Sequence, residues 1–292
     1  MTVNNIEFGE ADLMLNKDLS VYHLNLRPQD IAHTIITVGD PDRVTKITKY
    51  FDTIDFETKK REYVTKVGTY KGKKLMVMST GMGPDNIEIL LNELDALVNI
   101  DLEKRVRKEK HTALKIVRIG TSGGLMEELG TDSHLASATG IGFDNLNNFY
   151  DFPQTAEDQV LTKEIKEELG MQFEPYIASA SKMLLEKLAF DMFQGNTATC
   201  PGFYAPQGRF LRLTPKIPNF IDKMQNFKRG DFRFTNFEME TSCYYALGGM
   251  LGHELLSLNA IIANRVTGKF AGDYSKNMDA LIVKTLDRLV SI

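Results

Sequence analysis

From Ile31 onward, short apolar, β-branched runs alternate with glycine-bearing turns and with stretches whose apolar positions recur every three or four residues. Runs of that length bounded by glycine read as strands, and the three-to-four spacing reads as amphipathic helix. The first unit is a strand over Thr34–Val38, the turn Gly39-Asp40-Pro41-Asp42-Arg43, and a helix over 44–51. The second is a strand over 74–78, the turn Ser79-Thr80-Gly81-Met82-Gly83, and a helix with Ile87, Leu90, Leu91, Leu94 and Leu97 on one face. A third strand, 114–119, runs into Gly120-Thr121-Ser122-Gly123-Gly124, which reads as another loop. The alternation predicts an α/β fold. All three glycine-bearing segments follow strands, and open α/β sheets bind ligands beyond the carboxyl ends of their strands, so one shared crevice is expected.

Further strands are predicted at 134–141, 192–199, 232–237 and 255–263, and helices at 163–169, 180–190, 240–251 and 276–290. Residues 201–218 hold four prolines and two glycines, a loop composition. No break in composition marks a linker, so a single folded domain over 21–292 is expected, behind an N-terminal extension over 1–20. Apolar residues at 42 % and charged residues at 25 % are ordinary for a globular chain and argue against disorder, collagen and coiled coil. The formal charge of −4 supplies no global field for nucleic acid or an anionic membrane, so any anion must be held locally. The basic run Lys104, Arg105, Arg107, Lys108, Lys110 lacks interleaved aromatics and reads as a solvated connection. Cys200 and Cys243 have no Cys-x-x-Cys spacing, which fits a reducing cytoplasm rather than a disulfide framework or structural zinc. The acidic N-terminus does not read as a signal peptide, and no run approaches the ~18 apolar residues of a membrane span.

Four segments could carry chemistry. The turn Gly39–Arg43 can offer a helix N-terminus and a guanidinium to an anion, or be an ordinary turn with a surface arginine. Arg118, at the end of an apolar strand, needs a partner for its charge: a bound phosphate, helped by Thr121, or a buried ion pair. In Phe237-Glu238-Met239-Glu240 a carboxylate can accept both hydroxyls of a vicinal diol while Met239 covers the sugar, or the acids can simply complement a helix dipole. The loop Phe203-Tyr204-Ala205-Pro206-Gln207-Gly208-Arg209 gathers an aromatic plane, an amide and a guanidinium suited to a flat heterocycle, although surface loops share this composition. None of the glycine runs is a P-loop or a dinucleotide fingerprint. The histidines, His23, His33, His111, His134 and His253, show no metal-ligand spacing and none neighbours a candidate nucleophile.

Together these segments resemble the nucleoside phosphorylase superfamily, and within it the uridine phosphorylases, from about Val21 to the C-terminus. That resemblance implies an α/β single domain with a central mixed, partly barrel-like β-sheet flanked by helices. It implies phosphate ligands at Gly39, Arg43, Arg118 and Thr121, with Arg61 of Arg61-Glu62 completing the phosphate site of a neighbouring subunit. Val21-Tyr22-His23-Leu24-Asn25-Leu26 looks like the segment whose histidine reaches the ribose 5′ hydroxyl across an interface, making His23 a site residue. Glu238, Met239 and Glu240 match the ribose segment, with Glu240 as the diol acceptor. Phe203, Gln207 and Arg209 match the uracil loop, and Arg265 is expected at the far edge of the base. Purine-specific relatives carry an aspartate where Asn264 stands, which favours a pyrimidine.

The implied reaction is reversible phosphorolysis of uridine, with deoxyuridine and thymidine open, to uracil and ribose 1-phosphate. Arg118, Gln207, Arg209 and Glu240 are its expected catalytic residues. No organic cofactor is expected, and Glu62 and Ser79 are candidates for a structural potassium ion between subunits. At least a homodimer is expected, either a dimer or a hexamer. A purine or 5′-methylthio-nucleoside phosphorylase, a nucleosidase and a catalytically silent nucleoside binder are the alternatives.

Overall fold

The computed structural model describes residues 7–292, so Met1–Ile6 of the expected extension lie outside the described residues. The first half of the chain runs β1 (Thr34–Val38), α1 (Pro41–Thr48), β2 (Thr53–Lys60), β3 (Tyr63–Tyr70), β4 (Lys73–Ser79), α2 (Pro84–Asn99), β5 (Ile100–Asp101), β6 (Val106–Arg107) and β7 (Lys115–Gly124). The second half runs β8 (His134–Gly142), α3 (Ala156–Leu169), β9 (Tyr176–Ser179), α4 (Lys182–Leu188), β10 (Phe193–Thr199), α5 (Phe220–Asn226), β11 (Asn236–Glu238), α6 (Thr241–Met250), β12 (Glu254–Asn264), β13 (Lys269–Phe270) and α7 (Ser275–Leu289).

β7 is the hub. It pairs in parallel with β1 on one side and with β12 on the other, and its last residues pair antiparallel with β11. β12 continues to β8, β8 to β10 and β10 to β11, so β7, β12, β8, β10 and β11 close into a five-stranded mixed barrel. Beyond β1 the sheet opens out through β4, β3 and β2. Helices cover both faces. One apolar cluster packs Leu90, Leu91 and Leu94 of α2 and Tyr244 of α6 against Ile35 and Met76, and takes in Leu13 and Val21 from the N-terminal segment. Another packs Ile47 of α1, Leu184 of α4 and Leu281 of α7 against Ile36 and Val117. The mixed, partly barrel-like α/β architecture expected from the resemblance is therefore the one observed.

Two sequence expectations are corrected. Gly120–Gly124 is no loop: β7 continues through Gly124, with Gly120 opposite Asn259 and Gly124 opposite Asn264 of β12. A strand partner 139 residues downstream supplies the ladder that local glycine content argues against. The strand expected at 232–237 is confined to Asn236–Glu238, because Phe232 and Phe234 turn aside into an aromatic cluster with Phe227. Some boundaries move by a few residues for visible reasons. α1 begins at Pro41, capped by the Asp40 carboxylate accepting from Asp42 N–H at 3.0 Å, and α3 begins at Ala156 behind a Thr155–Asp158 capping box. Within the basic run, Lys104, Arg107 and Lys110 are exposed, but Arg105 donates to the carbonyls of Phe8, Gly9 and Leu13 and pins the N-terminal segment.

Candidate active site

A cleft of about 680 Å³ opens where β1, β4 and β7 end. The turn Gly39–Arg43, the loop Gly81–Met82, the second half of β7, the β11–α6 junction, the loop carrying Phe203, Gln207 and Arg209, and the end of β12 all line it. The three glycine-bearing segments thus meet in one crevice.

Arg118 sits at its floor, buried. One guanidinium nitrogen donates to Ser257 Oγ at 3.2 Å and Asn259 Oδ1 at 3.0 Å; the other donates to Glu240 Oε2 at 2.5 Å and lies 3.2 Å from Glu238 Oε2. Burial alone would depress its pKa, yet the two carboxylates hold it well above the usual arginine range. Of the two readings of Arg118, the buried ion pair is the one observed, and its guanidinium also lines the cleft. Ser257 and Asn259 went unread in the sequence, although polar residues at alternate positions of the otherwise apolar strand expected over 255–263 are a signal. Arg43 is also buried, and burial lowers its pKa against the opposing pull of Asp40 and Tyr274, with the Arg118 charge adding to the lowering. It donates to the Ile119 carbonyl at 3.4 Å and, among the described residues, forms no ion pair. Two largely desolvated guanidiniums thus line this end of the cleft, and the carboxylate of Asp40 partly offsets the charge of Arg43. Gly39 and Thr121 line the same end.

Gly120 makes room for this arrangement, because a Cβ there would lie 2.1 Å from Arg118 Nη1. Arginine tips usually yield, but this one is held by four polar partners. Gly120→Ala is therefore expected to lower the thermal melting temperature and to lose about tenfold or more in kcat/KM, as the guanidinium is pushed off its carboxylates; a wild-type melting temperature and kcat/KM would contradict this.

At the β11–α6 junction the two glutamates divide their tasks. Glu238 is consumed by structure: its carboxylate accepts from Thr199 Oγ1 at 2.8 Å, from Glu240 N–H at 2.9 Å and from Thr241 N–H at 3.0 Å, which satisfies the N-terminus of α6. Glu240 accepts from Gly83 N–H at 2.8 Å and from Arg118, and burial raises its pKa against the opposing pull of Arg118. Gly83 reaches it with φ at 94°, a conformation that favours glycine. Glu238, Met239 and Glu240 all line the cleft beside Arg118.

At the far end, Arg209 stacks on Phe203 with its guanidinium carbon 3.9 Å from the ring centroid, and donates to Gln207 Oε1 at 2.5 Å and to the Phe203 carbonyl at 2.8 Å. Arg265 donates to the Gln207 carbonyl at 3.2 Å. Burial lowers the pKa of both arginines, and Arg209 is further lowered by Arg265. Phe203, 50 % exposed, supports Arg209 as much as it offers a stacking face. Asn264 behaves differently. Its Nδ2 donates to the carbonyls of Met126 and Leu129, both at 2.7 Å, and its Oδ1 accepts from Val266 and Thr267 N–H, both at 2.9 Å. All of its hydrogen-bonding capacity is spent on a turn.

The pattern of the phosphorylase superfamily matches residues 33–291. The chain belongs to that superfamily. Among curated relatives it is similar to a uridine phosphorylase of Thermococcus kodakarensis, 28 % identical over 269 residues, covering 90 % of this chain and 84 % of that one. It is also similar to a DeoD-type purine nucleoside phosphorylase of Bacillus cereus, 25 % identical over 252 residues, covering 85 % and 88 %. A Trypanosoma brucei nucleoside phosphorylase described as showing uridine phosphorylase activity superposes with a TM-score of 0.87 at 31 % identity, covering 96 % of this chain and all of that one. The resemblance read from the motifs is borne out.

Two residues expected in the site of this superfamily member lie outside the cleft of their own chain. His23 is held on α2 by Glu93, and Arg61 is exposed at the tip of the β2–β3 hairpin. They share one side of the molecule, because Lys60 donates to the Tyr22 carbonyl and Asn25 Nδ2 donates to Thr58 Oγ1 at 3.0 Å, docking the His23 segment on β2. Glu62 and Ser79 come together through the backbone: Ser79 Oγ donates to the Glu62 carbonyl at 2.5 Å and accepts from Val64 N–H at 2.8 Å. Ser79's hydroxyl thus pins the hairpin with one donated and one accepted hydrogen bond.

The fold also makes a cluster that sequence spacing did not show, Asp95, His111 and His253, with potential ligand atoms within 4.8 Å of one another. It does not fit a metal. Leu114 N–H donates to His253 Nδ1 at 3.2 Å, so the proton of the neutral ring sits on Nε2, the nitrogen facing Asp95. His111 Nε2 meets the Leu251 carbonyl at 2.9 Å and is likewise the protonated nitrogen.

Proposed function

We propose that the chain is a uridine phosphorylase, catalysing reversible attack of inorganic phosphate on C1′ of uridine to give uracil and ribose 1-phosphate. The observation that carries the choice of base is Asn264: with its amide spent on four backbone groups, no side chain there can protonate N7 of a purine. The groups that line this end, Gln207 and Arg209, backed by Arg265 on the Gln207 carbonyl, suit the carbonyl and imide edge of uracil.

Phosphate would bind between Arg43 and Arg118, with Gly39 and Thr121, and draw Arg118 partly away from Glu240. Glu240, so released, accepts the ribose 2′ and 3′ hydroxyls, while Met239 covers the sugar. As the glycosidic bond breaks the sugar becomes oxocarbenium-like. The phosphate dianion stabilises that positive charge, and Gln207 and Arg209 stabilise the negative charge growing on the base. No covalent intermediate on the protein is required. Glu238 holds α6 and Arg118 in place at the wall of the same cleft.

His23 and Arg61 serve the cleft of a second copy, His23 at the ribose 5′ hydroxyl and Arg61 at the phosphate, so the active unit is at least a homodimer. Their shared placement on one side of the chain, outside the lining of their own cleft, supports this. Co-expressing Arg61→Ala with Arg209→Ala, each nearly inactive alone, is expected to restore about a quarter of wild-type activity, since half of randomly paired dimers carry one intact site. An activity no higher than that of the single variants contradicts the sharing. The free, buried thiols of Cys200 and Cys243 suit a cytosolic setting, and no helix among the described residues is long and apolar enough to cross a membrane. Comparing kcat/KM for uridine and inosine tests the proposed base: uridine is expected to lead by about 100-fold or more, and a preference for inosine overturns it.

A further inference from the structure

The segment carrying His23 is built around one carboxylate. Glu93, on α2 and 70 residues away in sequence, accepts from His23 N–H at 2.9 Å, from Leu24 N–H at 2.8 Å and from His23 Nδ1 at 2.6 Å. Tyr22 meets the His23 ring edge-on at 4.9 Å between centroids, and the Lys60 ammonium lies 4.5 Å from the Tyr22 ring centroid. The imidazole is therefore clamped, and at 21 % side-chain exposure its free edge is the one open to a neighbour. An ionised carboxylate can only accept, so the Nδ1 facing it carries the proton. That leaves Nε2, on the open edge, as the bare nitrogen of the neutral ring. Three donors converging on one side chain also exceed what a structural turn needs: two backbone N–H groups would fix the loop, and the third bond fixes the ring.

We infer that Glu93 is a positioning residue for sugar recognition: it sets the tautomer and aim of His23 so that Nε2 accepts a hydrogen bond from the ribose 5′ hydroxyl in the partner's cleft. This rests on the reading of His23 given above. It makes the site select for a nucleoside with a free 5′ hydroxyl, against 5′-deoxy and 5′-alkylated analogues that have no proton to donate. Glutamine at 93 would keep the length but offer one acceptor oxygen to three donors and turn its NH₂ on one of them, freeing the ring.

The test is the ratio of kcat/KM for uridine to that for 5′-deoxyuridine in wild type, His23→Ala, Glu93→Gln and the double variant. His23→Ala is expected to lower the ratio about tenfold, the worth of one well-placed hydrogen bond. Glu93→Gln is expected to bring it to the same value, and the double variant no lower. A role only in general folding, unconnected with His23, would lower both substrates together and leave the ratio untouched, which overturns the inference. If His23→Ala itself leaves the ratio unchanged, the reading of His23 falls and the inference with it. If only Glu93→Gln leaves it unchanged, the inference alone fails. Imidazole ¹⁵N resonances of the labelled wild-type protein, with His23 assigned by its loss in His23→Ala, give an answer that needs no folded Glu93 variant. A neutral ring protonated at Nδ1 is expected, and one protonated at Nε2 overturns the tautomer assignment.

Discussion

Arg118→Ala is expected to lower kcat/KM for phosphate at saturating uridine by about 100-fold or more, a loss of roughly 3 kcal/mol of transition-state binding. The substitution removes a cation aimed at the phosphate and also unbalances the floor of the cleft. Glu238 and Glu240 both face Arg118, at 3.2 and 2.5 Å, and without it two buried carboxylates confront each other. One of them is then driven to hold a proton, which spoils Glu240 as an acceptor for a diol. Steady-state kinetics on protein shown to be folded by circular dichroism checks the prediction. Near-normal dependence on phosphate in Arg118→Ala would remove Arg118 from the anion site and leave it only the ion pair.

Asn264→Asp, the change toward the residue expected in purine-specific relatives, is expected to cost about 3 kcal/mol of stability and to confer no turnover of inosine. A carboxylate oxygen would replace the Nδ2 that now donates to the carbonyls of Met126 and Leu129, at a position only 2 % exposed. Two buried acceptors lose their donor and face a third acceptor. Urea unfolding measures the stability, and ultraviolet assay with inosine measures the gain. Wild-type stability combined with inosine phosphorolysis would show that this side chain can leave its turn and serve a base.

Much of this site was legible because its residues lie where strands end. Gly39–Arg43, Phe237–Glu240 and Phe203–Arg209 each combine a break in the apolar pattern with polar groups of one chemical kind, and local sequence is enough to see that. Its second layer was not legible. Ser257 and Asn259 meet Arg118 from 139 and 141 residues away, and Glu93 meets His23 from 70, distances that only the closed sheet and the packing of α2 bring to zero. The same non-local pairing explains the reading of Gly120–Gly124 as a loop: glycines that leave room for Arg118 and for the Phe237 ring look like turn residues until β12 lies beside them. The β2–β3 hairpin fell outside the units read from the sequence because β2, Thr53–Lys60, is polar and largely exposed. Of the two glutamates that flank Met239, position alone could not separate the one that accepts from the α6 N-terminus from the one that accepts from Gly83.

The most direct measurement is uracil release from uridine, followed by ultraviolet absorbance with and without inorganic phosphate. Release that requires phosphate and saturates with it, with ribose 1-phosphate formed in equal amount, is the predicted result. Equal release without phosphate would mean that water is the nucleophile, and would contradict the assignment of Arg43 and Arg118 as the site of the attacking anion.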